Sequence, residues 1–308
     1  MSTASPQTSA GAISAGGARG LLAFAQLMRL PNAFTAMADI GLGALVTGAL
    51  PQQTTTFVLV LLASTCLYCA GMVWNDYFDV EQDRRERPFR PVPSGRVSPA
   101  AAARFGALLM LLGVLFAFLG SRTAAGLALA LVAGIFLYDA WLKRTWAGPL
   151  GMGACRFLNV LLGFSAAPGL LSWGLLPAFV VGTYIVGVTW FARTEARTSN
   201  RTALISAAVV MLAALFLALP LPAPLPPDTA SPLFPYLLVA LGFLVGVPVV
   251  RAIEQPTPVR VQAAVKQAIF GLIVLDTVLA TGLAGTAGLV ILPLLLPALY
   301  LGRWIYST

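Results

Sequence analysis

Apolar stretches of about 20 residues recur along almost all of this 308-residue chain, and that recurrence leaves few folds open. A run of that length crosses the hydrocarbon core of a bilayer as a helix. Only helices and closed barrels satisfy their backbone polar groups there. The spans read near residues 33–50, 57–74, 103–120, 123–141, 150–170, 173–192, 202–222, 233–250, 267–284 and 286–304. Only "GTAG" separates the last two, so nine spans or ten fit the text. The composition agrees: 58% of residues are hydrophobic and 10% charged, against about 25% charged in soluble domains. The expected fold is all-α, a polytopic transmembrane bundle over residues 21–308, after an uncharged Ser/Ala/Gly/Thr tail over 1–20 expected to be disordered.

Charge placement predicts orientation. With the N-terminus inside, Arg29, Arg84, Arg87, Arg96, Lys143, Arg193, Arg201, Arg251 and Lys266 share one side, while Arg122 alone lies in an opposite loop. This positive-inside pattern accounts for the net charge of +8 as topology and lipid or phosphate contact, and argues against a nucleic-acid partner. The Pro-rich stretch 219–232 reads as an external loop. The expected location is a bacterial inner (cytoplasmic) membrane. The chain has no His, which removes Ser-His-Asp and Cys-His catalysis, and Cys66 and Cys69 sit mid-span as packing residues.

Against this background, "WNDYFDVEQDRRERPFRPVPSGR" stands out at the end of the second span. It holds five of the eleven acidic residues and five of the nineteen basic ones. If the helix runs on past Trp74, then Asn75, Asp76, Asp79 and Asp83 fall within an arc of ~100°. Carboxylates so close repel unless something offsets them. Oxygen ligands of this kind suit Mg²⁺, which takes one or two carboxylates and completes its shell with water and phosphate oxygens. Pro88 and Pro91 then end the helix and place Arg87, Arg90 and Arg96 on a loop able to fold back over the stripe. A carboxylate-held cation facing guanidinium groups suits a diphosphate.

"NDYFDVEQD" followed by "RPVPSG" resembles the first aspartate-rich motif of the UbiA superfamily of intramembrane prenyltransferases. "RLPN", Arg29 to Asn32, resembles that family's R-x-x-N. "YDAWLKRTWAGPLG" resembles its Tyr and Lys-Arg segment. The resemblance implies a helical bundle around a lipid-open cavity. There an isoprenyl diphosphate, held with Mg²⁺, loses its diphosphate, and a hydrophobic, commonly aromatic, acceptor captures the prenyl group. It further implies Asn75, Asp79 and Asp83 as metal ligands. Asn32, Arg87, Arg90 and Lys143 are implied as diphosphate contacts and Tyr138 as an aromatic face toward the cation. Asp76 is the candidate general base.

The family pattern expects a second acidic motif at "YIVGVTWFARTEARTSN", and here the chain departs from it. Val188 and Ser199 stand where the family usually has Asp, and Glu195 is the only carboxylate on that face. A few UbiA-like proteins show a similarly reduced motif. Glu195 is then a ligand to one cation, and Arg193 and Arg197 are candidates to bind phosphate oxygens directly. Asp39, Asp276 and Arg156 lie within spans, where ionisable groups face the bundle interior. Arg156, three residues before Asn159, is a candidate to meet a buried acid or the diphosphate. The competing expectation is a non-catalytic protein that keeps the cavity to bind or transport a prenyl lipid.

Overall fold

The structure is a computed structural model that describes residues 20–195, 198–221 and 231–305; the 1–19 tail and most of the Pro-rich stretch lie outside the described residues. Among the described residues there is no strand. After a short helical segment, α1 (residues 20–27), come α2 (Leu30–Val46), α3 (Thr54–Phe78), α4 (Val80–Glu86), α5 (Pro99–Gly120), α6 (Arg122–Ala140) and α7 (Gly148–Phe164). The second half holds α8 (Leu175–Ala192), α9 (Arg201–Ala218), α10 (Phe234–Glu254), α11 (Pro258–Ala284) and α12 (Leu295–Leu301). Among the described residues seven segments are long and apolar enough to cross a membrane, and α2 is a shorter apolar helix.

Local signals set the boundaries. Proline occupies the first turn of α2, α5, α7, α10 and α11, where its fixed φ suits the helix and its missing N–H costs nothing. Ser98, Ser121 and Asn200 cap α5, α6 and α9 by accepting from the backbone N–H of Ala101, Ala124 and Thr202. Ser121 alone joins α5 to α6, so these two form a tight antiparallel pair.

Helices α2 and α7 stand between two packed groups. On one side α3, α5 and α6 share a core with Ile40 and Leu162; on the other, α8 to α11 share a larger one. The backbones of α2 and α7 nearly touch: a Cβ on Gly43 would lie 2.3 Å from the Gly163 carbonyl carbon. Small residues permit such approach, which is how membrane helices pack without a hydrophobic drive between them.

The expected last span differs from a regular helix. At Gly285 (φ +67) the chain turns, and Gly285–Leu294 forms a 3₁₀ limb interrupted by Pro293 before the short α12. This limb returns along α11, with Gly288 against Ala280 and Thr281 and Gly302 beside Phe270. The fifth span differs too. Helix α7 ends at Phe164, and Pro168–Gly174 is 3₁₀, because proline removes a helical donor there.

Candidate active site

The acidic stripe forms as the spacing predicts, with one local break. Helix α3 ends at Phe78, and Asp79 sits between α3 and α4. The hydrogen-bond ladder nevertheless continues, from Asp79 N to Asn75 O (3.1 Å), Asp83 N to Asp79 O (2.8 Å) and Arg87 N to Asp83 O (2.8 Å). Asn75, Asp79 and Asp83 therefore keep a common face.

Each carboxylate meets a basic side chain from a different element. Lys143, in the turn after α6, approaches Asp79 Oδ2 at 2.8 Å and Asp139 Oδ1 at 3.5 Å. Arg90 folds back from the Pro-rich loop onto Asp83 (2.7 Å) and Asp76 (3.3 Å). Arg29, at the head of α2, donates to Asp76 Oδ1 at 3.0 Å and Asn75 Oδ1 at 3.4 Å. Arg29 holds this aim from a left-handed backbone (φ 46), uncommon for a residue with a Cβ. Arg87 crosses to the other half of the molecule and pairs with Glu195 at 2.7 Å.

Burial raises the Asp83 carboxyl above its ordinary value, although Arg90 pulls the other way. Burial and the neighbouring Arg29 charge lower the Arg90 guanidinium. Burial opposes the charge on Arg29 most strongly, but Asp76, Tyr68 and Asp83 together outweigh it and the net shift is upward.

Not every expected site residue joins this ring. Arg193 is exposed and donates to the backbone carbonyls of Thr145 (2.6 Å) and Trp146 (3.4 Å), tying the end of α8 to the turn after α6. Arg197 lies outside the described residues. Arg96 staples its own loop, donating to Gln26, Ser94 and the Phe89 carbonyl. Ser199 exchanges hydrogen bonds with Thr194, and its N–H donates to the Pro256 carbonyl. Arg156 meets the buried acid: it donates to Asp39 Oδ2 (2.8 Å) and to Thr35 Oγ1, and Asn159 donates to the same Asp39 oxygen (2.6 Å). Asp276, fully buried on α11, lies beside Asp39 with both of its oxygens away from any protein donor. Asp139 and Tyr68 line the site without being singled out as site residues by a motif, and Arg29, which opens the R-x-x-N segment, pairs with Asp76. Asp139 had a signal, since it stands four residues before Lys143 on the α6 face.

Two cavities meet at this site. The first, of about 800 Å³ and open at its mouth, runs inward from the charged end between α2, α3, α7, α8 and α11. Arg29, Asn32, Arg87 and Glu195 line its outer part; Ile185, Val188, Ile269 and Leu272 line its inner part. The second, of about 540 Å³, is an apolar groove between α3, α6 and α7, lined by Leu67, Gly71, Leu131, Ile135 and Tyr138, with Asn75 and Asp139 toward the charged end.

Among the described residues no three His, Cys, Asp or Glu side chains converge to hold a metal ion unaided. The donor set nonetheless fits Mg²⁺ shared with phosphate, which needs only one or two carboxylates. Of the paired carboxylates in this ring (Asp76, Asp79, Asp83, Asp139 and Glu195), Asp79 is the most exposed, at 18%. Glu195 Oε2 is buried without a hydrogen-bond partner, as is Arg90 Nη2. An acceptor and a donor left this way suit an added cation and an added anion.

A model of the UbiA prenyltransferase family matches residues 36–270. Digeranylgeranylglyceryl phosphate synthase of Methanothrix thermoacetophila is 42% identical over 118 residues, which are 38% of this chain and 44% of that protein. The chain spans about half the length of the curated relatives it matches. Among solved structures, a UbiA homologue from Aeropyrum pernix K1 superposes with TM-score 0.64 at 18% identity, over 80% of this chain and 96% of that one. A homologue from Archaeoglobus fulgidus, solved with GPP and Mg²⁺, superposes with TM-score 0.56 at 16% identity, over 81% of this chain and 99% of that one.

Proposed function

The chain belongs to the UbiA prenyltransferase family and is an integral membrane protein; from that premise we propose that it transfers a prenyl group from an isoprenyl diphosphate to a hydrophobic acceptor, using one Mg²⁺. The observation that carries this reading is the joining of the two cavities. One carries Arg29, Arg87 and Glu195 at its mouth, the other is an apolar groove with Asn75 and Asp139 toward its charged end, and Tyr68, Met72, Met152 and Arg156 line both. A molecule with an anionic head and an isoprenoid tail matches that arrangement.

The residues divide the work. Asp79 and Asp83, with Asn75, would hold the metal, and Glu195, paired with Arg87, stands at the mouth of the charged cavity. In the arrangement seen, Lys143, Arg90 and Arg29 occupy the carboxylates; on substrate binding they turn toward the phosphate oxygens. Guanidinium groups meet phosphate through two parallel N–H bonds, so Arg87 and Arg90 orient the diphosphate as well as neutralise it. When bound, Mg²⁺ offsets the charge that develops on the departing diphosphate. The apolar groove excludes water, which would otherwise capture the allylic cation. Asp76, tied to Arg29 and Arg90, is the candidate base for the acceptor's proton.

The relatives' name specifies a glyceryl phosphate carrying two geranylgeranyl groups. An acceptor of the glyceryl phosphate type is therefore proposed ahead of an aromatic one. The charged end faces the cytoplasm, on the strength of its Lys and Arg content.

The test is incubation of the purified protein in nanodiscs with labelled isoprenyl diphosphates of increasing length and Mg²⁺, with a prenylglyceryl phosphate or an aromatic acceptor. Diphosphate release with transfer to the glyceryl phosphate is expected. Tight binding without turnover would instead mark a prenyl-lipid carrier, and neither binding nor turnover would overturn the reading.

A further inference from the structure

The two cavities share four residues, Tyr68, Met72, Met152 and Arg156. On the reading above, the diphosphate lies in the charged cavity and the prenyl chain in the apolar groove. A single C–O bond joins those two halves, so the bond that breaks lies where the cavities meet. We propose that Tyr68 is a catalytic residue whose ring contacts the allylic C1 as that bond ionises.

Among the four shared residues only Tyr68 offers an aromatic ring, and a ring's negative face attracts a cation within about 6 Å of its centroid. The ring already does so here: the Arg156 guanidinium carbon lies 5.2 Å from its centroid. Arg156 is itself held by Asp39 and Thr35, so the guanidinium that packs over the ring is fixed. On α3, Tyr68, Met72, Asn75 and Asp79 fall on one face, at steps of four, three and four residues. The ring therefore belongs to the same stripe as the carboxylates, deeper in the bundle. Tyr138, the ring the family resemblance points to, lines the groove alone and not the junction.

In the step, the C1–O bond breaks with both electrons leaving on the diphosphate oxygen, and C1 becomes one end of an allylic cation. The acceptor hydroxyl adds to C1 and gives up its proton to Asp76, the candidate base, while the diphosphate leaves with the electron pair of the broken bond. Where the cation is poorly held, water adds instead and yields the prenyl alcohol.

The test uses the full-length protein in nanodiscs with geranyl diphosphate, Mg²⁺ and a prenylglyceryl phosphate. Tyr68→Leu is expected to bind a non-ionising thio analogue of geranyl diphosphate within about threefold of the unaltered protein while kcat falls about tenfold or more. The product should shift from the transferred species toward geraniol. A second series starts from Tyr68→Phe and adds one, two and three ring fluorines. Each fluorine weakens the ring's attraction for a cation with little change in shape, so kcat should fall stepwise at constant KM. A flat fluorine series, or a Leu variant with unchanged kcat, would overturn the assignment, and the fluorine series still decides if the Leu variant fails to fold. If the unaltered protein releases no diphosphate, the prenyltransferase reading fails first, and this one with it.

Discussion

The two regions that face each other across the charged cavity differ sharply. On the α3–α4 side, Asn75, Asp76, Asp79 and Asp83 crowd one stripe, and Arg29, Arg90 and Lys143 answer them. On the α8 side, Val188 and Ala192 present an apolar wall, Ser199 closes a turn, and Glu195 is the one carboxylate, already paired with Arg87. Arg87 belongs to the first region by sequence and to the second by contact. One side is thus equipped for a metal and its anion. The other contributes, among the described residues, a single carboxylate and a largely hydrophobic surface.

The largest effect should come from the first side. Asp79→Ala or Asp83→Ala should lower the rate of prenyl transfer on the order of 10²–10³-fold, as loss of a group that stabilises transition-state charge does. Membrane insertion and thermal stability should survive. A variant with near-normal single-turnover rates would break the claimed asymmetry.

The bridge between the sides should matter less. Arg87→Ala removes a diphosphate contact and leaves Glu195 with both oxygens unpaired. KM for the diphosphate should rise about tenfold, the cost of one charge-assisted contact of ~1.5–3 kcal/mol. Arg193→Ala, by contrast, should leave KM for the diphosphate near that of the unaltered protein in the same steady-state assay, because Arg193 turns to backbone carbonyls.

How much of this was legible depends on what each residue's partner is. The stripe was legible because its spacing, 75, 79 and 83, is itself a helical address, and Pro88 and Pro91 marked where the chain must fold back. That Arg90 would take Asp83 while Arg87 reached Glu195 was not legible. Residues 108 apart in sequence meet only through the packing of both α3 and α8 against α7. Arg156 was legible as a residue in search of an acid. Asp39 was a choice among several buried acids that only the α2–α7 contact at Gly43 and Gly163 settles. The last span misled by its hydropathy. Length and apolarity argued for a helix, while Gly285, Gly288 and Pro293 made it a 3₁₀ return.

The smallest effect expected is on pH dependence. The Asp83 carboxyl is raised by burial, so it takes its proton at a higher pH than an ordinary carboxylate. Acidification below neutrality should therefore weaken diphosphate and Mg²⁺ binding earlier than a solvated aspartate would. Stability should behave the other way. The folded carboxyl holds its proton more tightly than the unfolded one, so this group's contribution is present below the unfolded value and is lost as pH rises through the folded one. The difference in Tm between the unaltered protein and Asp83→Asn, followed from pH 7 downward, checks the sign. A difference that favours the unaltered protein more as pH rises would contradict it.

Calorimetric titration of Mg²⁺ into the protein saturated with a non-ionising isoprenyl thiodiphosphate tests the asymmetry most directly. One Mg²⁺ per chain is expected, bound without cooperativity, abolished by Asp79→Ala and weakened about tenfold or less by Glu195→Gln. Two Mg²⁺ per chain, or a site that Glu195→Gln abolishes and Asp79→Ala leaves intact, would contradict the account.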